Sequence, residues 1–119
     1  MRFEDAELLL IEFLRSHTSL RVVSLVPGER PESFVRVWRT GGSAVNRVLD
    51  NPTLTVQVWG PDCWDVAGQL RDAIHHNGSQ IRLLRGVEEV SGPYEDPDPA
   101  TGESRVSFTI QALIRATRK

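Results

Sequence analysis

The chain has 119 residues, a formal net charge of −2 and a hydrophobic fraction of 39%. This length predicts a single domain over residues 1–119, and the near-neutral charge excludes a global basic field for nucleic acid. The one cysteine, Cys63, excludes an internal disulfide bond and indicates a reducing compartment. No apolar run approaches the length of a membrane span, and the acidic start of the chain is unlike a signal peptide.

Charged residues are unevenly distributed along the chain. Thirteen of the 14 basic residues are arginines. Arginine suits protein interfaces because its planar fork binds carboxylates and stacks, although codon bias in a GC-rich genome is an alternative explanation. The segment 88–103 holds six acidic residues and no basic one. Basic residues form three separate groups, which are Arg36 with Arg39, Arg82 with Arg85, and Arg115 with Arg118 and Lys119.

The first part of the chain predicts a helix followed by two strands. Apolar residues recur at helical spacing over Phe3–Ser16, and acidic residues crowd its first turn. Leu20–Val26 is a short apolar strand that ends at a proline and a glycine. Residues alternate in the second strand, Phe34–Thr40, so that one face carries arginine and tryptophan together and is not an ordinary core face. The residues on that face are Phe34, Arg36 and Trp38.

The middle of the chain predicts a strand followed by a helix that packs across the apolar face of the strand. Gly41-Gly42 is predicted as a turn, and 43–51 as a connector in which a helical turn over 44–49 stays an open alternative. Thr53–Trp59 alternates as a strand with one apolar face. Asp62 is the predicted N-cap of a helix that begins at Cys63 and ends at Asn77-Gly78.

The last part of the chain predicts a long hairpin. Ile81–Val90 is extended, and Gly86 is the predicted site of a bulge. Ser91–Ser104 is rich in proline, glycine and acidic residues, so a projecting loop over 91–104 is expected. Arg105–Arg115 alternates without a break and is the second strand of the hairpin.

The order of these elements predicts an α+β fold. Strands and helices do not alternate strictly, which argues against a doubly wound parallel sheet. We therefore expect a mixed, mostly antiparallel sheet of about five strands, with two helices packed on one face.

Candidate catalytic and metal-binding residues are few. His75 and His76 are adjacent on a helix and cannot chelate one metal together, and Cys63 lies about three helical turns away. The acidic segment around Asp96 and Asp98 has glycine one place too late for a calcium loop. No serine lies in a nucleophile elbow, and the position of Cys63 on the apolar stripe indicates a buried thiol. We therefore predict no catalytic residue, no metal site and no cofactor.

Several blocks of sequence together carry a family resemblance. They are FEDAELLLIEFLR, FVRVWRTGG, DNPTLTVQVWG and GVEEVSGPYEDPDPATGESRVSFTIQALIR. In this order they resemble the tail terminator proteins of long-tailed (siphovirus-type) phages, especially those that infect actinobacteria. The resemblance runs over most of the chain, and the arginine-rich composition fits such a host.

The resemblance implies a structural virion protein without catalytic residues. Such proteins assemble as a six-membered ring on the end of the finished tail tube, stop its growth and join the tail to the head connector. The implied partners are further copies of the chain, the major tail tube protein and the head–tail connector, with no membrane. DNA would pass through the lumen without specific binding. The implied location is the head-proximal end of the tail, after synthesis in the cytoplasm of the bacterial host.

Two groups of residues are the candidate subunit or tube contacts. The first lies on or beside the arginine- and tryptophan-bearing strand and comprises Phe34, Arg36, Trp38, Arg39 and Trp59. The second lies at the hairpin tip and comprises Tyr94, Glu95, Asp96, Asp98 and Glu103.

Two alternative functions stay open on the sequence alone. The chain could be another head–tail joining or minor tail protein, or a small cytosolic ligand-binding or enzymatic α+β domain. The last alternative requires a deep pocket with converging polar groups.

Overall fold

A computed structural model describes residues 1–118 and leaves Lys119 outside the description. In this part of the chain, two α-helices lie against a six-stranded sheet. The helices are α1 (Ala6–Arg15) and α2 (Cys63–Asn77), and a short 3-10 helix (Gly78–Gln80) follows α2. The strands are β1 (Arg21–Val23), β2 (Phe34–Gly42), β3 (Leu49–Asp50), β4 (Pro52–Trp59), β5 (Leu84–Glu95) and β6 (Arg105–Arg115). The predicted α+β class with a mixed, mostly antiparallel sheet is confirmed.

The sheet is built around β6. On one side β6 pairs with β4 and, further along, with β3, so that β3 and β4 form one nearly continuous strand interrupted at Asn51. On its other side β6 pairs with β5, which is an edge strand of the sheet. Strand β2 pairs with β4, and β1 lies at the opposite edge in a parallel pairing with β2. Every other strand pairing in residues 1–118 is antiparallel.

Both helices pack on the same face of the sheet, as predicted. Alternation along β2, β4 and β6 turns their apolar side chains toward this face, where each fully buried aliphatic residue contributes about 1.5–3 kcal/mol. Helix α1 is capped by the carboxylate of Asp5, which accepts from the backbone N–H groups of Glu7 and Leu8. The core side chains that are at most 1% exposed include Leu14, Val35, Val37, Leu54, Val56, Val58, Leu70, Ile74, Val106, Phe108 and Ile110.

Helix α2 is tied to the edge strand β5 by an ion pair. Arg71 donates to both carboxylate oxygens of Glu89, at 2.5 and 2.9 Å. This contact lowers the pKa of Glu89 and raises that of Arg71. The side chains are partly exposed, so the pair orients the two elements more than it stabilises them. No helix in residues 1–118 is long and apolar enough to cross a membrane.

The structure corrects several predicted boundaries in the first half of the chain. Helix α1 begins at Ala6 rather than Phe3, because Asp5 caps it, and β1 covers only three residues. The predicted turn at Gly41-Gly42 is wrong, since β2 continues through both glycines after a bulge. The open alternative of a helical turn over 44–49 is also wrong, because this segment consists of bends that lead into β3.

The second half of the chain follows the predictions more closely. The extent of α2 and of β6 and the bulge at Gly86 are confirmed. Asp62 precedes α2, but its side chain makes no capping hydrogen bond. Gly78 does not end the helix in the left-handed region. Its φ is −58°, and it begins the 3-10 helix that follows. Strand β5 extends to Glu95, so the hairpin loop is Asp96–Ser104 rather than 91–104.

Candidate subunit and tube interface

The face of the sheet that carries no helix is defined here as the open face. Cross-strand pairing in β2, β4, β6 and β5 brings polar and aromatic side chains together there in rows. One row is Arg36, Gln57, Ser107 and Tyr94, and the next is Trp38, Thr55, Thr109 and Ser91. Hydroxyl groups of Thr40, Thr55 and Thr109 form a chain with separations of 3.2 and 3.1 Å. The sequence correctly predicted that this side of β2 is not an ordinary core face.

Phe34 and Trp59 form a buried aromatic pair at one end of the open face. Their rings stack at 4.5 Å with an interplanar angle of 11°, and they are 0% and 1% exposed. The guanidinium of Arg105 lies 5.1 Å from the centre of the Trp59 ring. Both residues were predicted as contact residues, but in the isolated chain their side chains are covered. They therefore lie beneath the surface of the single chain, and their contact with a partner stays a prediction.

The hairpin loop Asp96–Ser104 covers this aromatic pair. The indole N–H of Trp59 donates to Asp98 Oδ2 at 3.1 Å, and Asp98 is only 7% exposed. Arg30, from the connector between β1 and β2, donates to Asp98 at 3.3 Å and to Glu103 at 2.6 Å. The connector and the loop are therefore joined over the end of the open face. These contacts tie the loop to the body of the chain, and its projection toward a neighbour stays a prediction.

Asp96 is also engaged inside the chain. Its carboxylate accepts from Ser107 Oγ at 2.8 Å and lies 3.1 Å from Arg105 Nη2. Together with Asp98 and Glu103, it was predicted to contact a neighbour. These three carboxylates instead pair with Arg30 and Arg105, so the hairpin tip carries far less free negative charge than its sequence suggests.

The carboxylate of Asp98 makes the loop sensitive to acid. The backbone N–H of Ala100, and then the indole N–H of Trp59, hold the pKa of Asp98 below its ordinary value. Because the folded-state pKa is lower than the unfolded one, the ionised group stabilises the fold above the unfolded pKa of about 4. That contribution is lost as the pH falls through the folded-state pKa.

Asp98→Asn tests this contribution. We expect the variant to be less stable than the parent chain at neutral pH, and the difference to shrink steadily below about pH 4. Urea unfolding of both chains between pH 6 and the acid limit measures it. A difference that stays constant over this range would show that the charge of Asp98 does not stabilise the loop.

Arg36 and Trp38 are half-buried neighbours on the open face. The guanidinium of Arg36 lies 4.5 Å from the centre of the Trp38 ring, and its Nε donates to the carbonyl of Ser24 at 3.1 Å. Trp38 Nε1 and Gln57 Oε1 are buried, and no hydrogen-bond partner for either atom lies within residues 1–118. A buried polar atom without a partner costs about 1–3 kcal/mol. This part of the surface is therefore incompletely satisfied in the single chain.

Arg39 lies on the other face of β2, away from Arg36 and Trp38. Its guanidinium donates to both carboxylate oxygens of Asp50, at 2.8 and 3.1 Å, and to the carbonyls of Gly41 and Gly42. Its backbone N–H donates to Glu7 at 2.8 Å. The bulge in β2 brings these groups together. Arg39 thus links β2 to β3 and to α1. It was predicted as a contact residue together with Arg36 and Trp38, but it lies on the opposite face of β2 from them.

Of the predicted hairpin-tip contacts, Tyr94 and Glu95 are the exposed residues. Tyr94 is 46% exposed on the open face, beside Ser107. Two further exposed side chains were not among the predicted contacts, namely Trp64 at 55% and Val90 at 58%. The position of Trp64 beside the apolar stripe of α2 was a visible signal. Val90 lies in an irregular part of β5, and nothing in its local pattern indicated exposure.

Within residues 1–118, the candidate reactive groups singled out in the sequence are not gathered at one place. Burial raises the pKa of the Cys63 thiol, and the nearby Glu95 and Asp62 carboxylates raise it further. The thiol is therefore protonated at neutral pH and is a poor nucleophile. No group of three or more potential metal ligands lies together within residues 1–118. An apolar cavity between α1 and the sheet, lined by residues such as Leu10, Leu54 and Ile110, holds only about 10 Å³.

These features define an α+β domain whose open sheet face carries polar and aromatic side chains, two of them with buried atoms that lack a hydrogen-bond partner in the described residues. The chain belongs to the phage tail termination protein family, whose model matches residues 2–119. It is thus a structural component of the phage tail in the virion, and the resemblance noted in its sequence is confirmed. No curated protein matches the chain in sequence.

Proposed function

We propose that copies of this chain form a six-membered ring on the end of the completed tail tube. The ring stops further polymerisation of the tube and presents the surface that joins the head connector. The observation that carries this proposal is the family match over residues 2–119. The fold supports it, because a ring needs two different surfaces on each subunit, and the open face and the exposed part of α2 differ in chemistry.

The proposed position is the head-proximal end of the tail. The partners are further copies of the chain, the major tail tube protein and the head–tail connector. DNA passes through the lumen, and the chain is made in the cytoplasm of the bacterial host. With a net charge of −2 the chain has no overall attraction for phosphate. We therefore assign no specific DNA contact.

The pair of Arg36 and Trp38 is the part of the open face that best fits a protein partner. Arginine and tryptophan are enriched at the centres of interfaces, where truncation of such an anchor commonly costs roughly 2 kcal/mol or more of binding free energy. Stacking of Arg36 on Trp38 holds both side chains in place, which reduces the entropy lost on binding. The unpartnered Trp38 Nε1 would gain an acceptor if a neighbouring chain packed here.

Arg36→Glu and Trp38→Ala should each weaken capping of the tube. The first removes the stacked cation and reverses its charge, and the second removes the aromatic anchor. The measurement is the length of tubes that purified tube protein forms with and without each variant. We expect the parent chain to shorten the tubes and each variant to need roughly tenfold more protein for the same effect.

Arg15→Glu is the matched control, because Arg15 is exposed at the end of α1, on the side of the sheet opposite the open face, and the substitution makes the same change of charge. It should cap tubes like the parent chain. If both open-face variants also cap tubes normally, Arg36 and Trp38 are not contact residues. Capture of the parent chain by the connector but not by the tube would instead assign it to another head–tail joining role.

A further inference from the structure

Five exposed arginines lie around the carboxyl end of β6. Here Arg115 pairs with Leu49, the N–H of Ala116 donates to the carbonyl of Val48 at 2.8 Å, and Leu84 pairs with Ile114. The amino terminus joins the same end through hydrogen bonds of 2.9 and 2.8 Å between Arg2 and Thr117. None of the five forms an ion pair within residues 1–118. We call this group the basic end, and it comprises Arg2, Arg47, Arg85, Arg115 and Arg118.

Three exposed carboxylates lie at the opposite end of β6. Glu95 pairs with Val106 near the start of β6, and the N–H of Gly60 donates to the carbonyl of Ser104, which brings the start of α2 to the same place. Asp62 and Asp65 lie just before and within the first turn of α2, a few residues from this contact in sequence. None of these carboxylates forms an ion pair within residues 1–118. We call this group the acidic end, and it comprises Asp62, Asp65 and Glu95.

Each charged end also carries exposed apolar side chains. At the acidic end these are Trp64, 55% exposed, and Tyr94, 46% exposed. At the basic end they are Val45, 58% exposed, and Val48, 38% exposed. Apolar groups surrounded by charge are the usual composition of a protein–protein interface, with tryptophan, tyrosine and arginine enriched.

The two ends are too far apart to neutralise each other within one chain. Strand β6 has 11 residues, which at about 3.3 Å per residue separate its ends by roughly 33 Å. Charges on the solvent-exposed surface are screened beyond about 8 Å at physiological ionic strength. The ends can therefore meet oppositely charged groups only on another molecule.

We propose that the acidic end of one subunit docks on the basic end of the next. Trp64 and Tyr94 then pack near Val45 and Val48, and the carboxylates face the arginines around them. The occupant is a second copy of this chain because each end carries the charge that the other lacks, and both ends expose apolar side chains that can pack together. Such a head-to-tail contact closes into a ring when the rotation between subunits allows it. This inference rests on the proposed ring and specifies its contact surface.

Charge reversal tests the contact. Asp65→Arg with Glu95→Arg reverses the acidic end, and Arg47→Glu with Arg115→Glu reverses the basic end. Each double variant should associate at least about tenfold more weakly than the parent chain, because like charges then face each other. The chain with all four substitutions should recover the assembled mass. Sedimentation at low and high salt measures the mass, and far-ultraviolet circular dichroism confirms that each variant is folded.

Two single substitutions provide matched controls. Glu12→Arg, in α1, and Arg21→Glu, in β1, change exposed charges outside the two contact groups and should leave the mass unchanged. The charged contact would be overturned if the double variants assembled like the parent chain, or if the fourfold variant stayed dispersed. Neither result would overturn the separate proposal that the parent chain forms a ring.

Two other outcomes point elsewhere. If reversal of the basic end keeps the assembled mass but abolishes retention on duplex DNA, the arginines bind phosphate and the proposal is wrong. If the parent chain remains a single subunit in solution at concentrations at which it caps tubes, the contact between the two ends is overturned, and the ring on the tube is tested separately by microscopy of capped tubes.

Discussion

Replacing Trp59 with alanine should lower the free energy of unfolding by about 3–5 kcal/mol, the usual cost of truncating a buried aromatic residue. The side chain is 1% exposed and stacks on Phe34. Its loss would leave a cavity and would also remove the indole donor of Asp98. The hairpin loop should therefore loosen together with the core. Urea unfolding of the parent and variant chains measures the effect.

Two tryptophan variants make this prediction specific. Trp64→Ala removes an exposed side chain of the same type and should change stability by no more than about 0.5 kcal/mol. Trp59→Phe keeps a ring against Phe34 but loses the donor and part of the indole volume, so we expect an intermediate loss of about 1–3 kcal/mol. Equal losses for the two alanine variants would mean that the loop and the aromatic pair do not stabilise the fold.

Gly42→Ala should destabilise the fold by about 3 kcal/mol or more. The backbone at Gly42 has φ +85°, a conformation that costs other residues roughly 1–3 kcal/mol. A β-carbon there would also overlap the carbonyl oxygen of Asn51 and lie 2.7 Å from the backbone nitrogen of Thr53. Those atoms belong to the backbone of β4 and of the residue just before it, so relief requires β2 and β4 to separate.

Gly41→Ala is the matched control for this change. Gly41 is the neighbouring residue, and no atom lies within 4 Å of the position of an added β-carbon. We expect thermal unfolding to be nearly unchanged in this variant, with an effect within about 0.5 kcal/mol. If both alanine variants unfold at the same temperature, the bulge in β2 does not require glycine.

The fold could be predicted from the sequence wherever one period continued without interruption. Strand β6 alternates over its whole length, and α2 keeps one apolar stripe, so their extents were predicted correctly. Errors arose where a nonlocal contact decides the outcome. Gly41 and Gly42 appeared to form a turn, but pairing with β4 and the contacts of Arg39 keep the segment extended.

The candidate interface was predictable only in part. Alternation correctly placed Arg36 and Trp38 together on one face of β2. The loop could not be placed, because Asp98 is held by Trp59 and Arg30, which lie 39 and 68 residues away in sequence. No local pattern reports such contacts. An acidic, proline-rich segment therefore suggested a projecting loop, although its charges are largely paired inside the chain.

The central claim is that this chain ends tube growth by assembling around the tube axis. Electron microscopy of tubes grown with the parent chain tests it most directly. We expect short tubes whose capped ends all look the same, each with a closed ring of six subunits at one end. Tubes that grow without limit and have bare ends, or subunits attached along the tube wall, would contradict the claim.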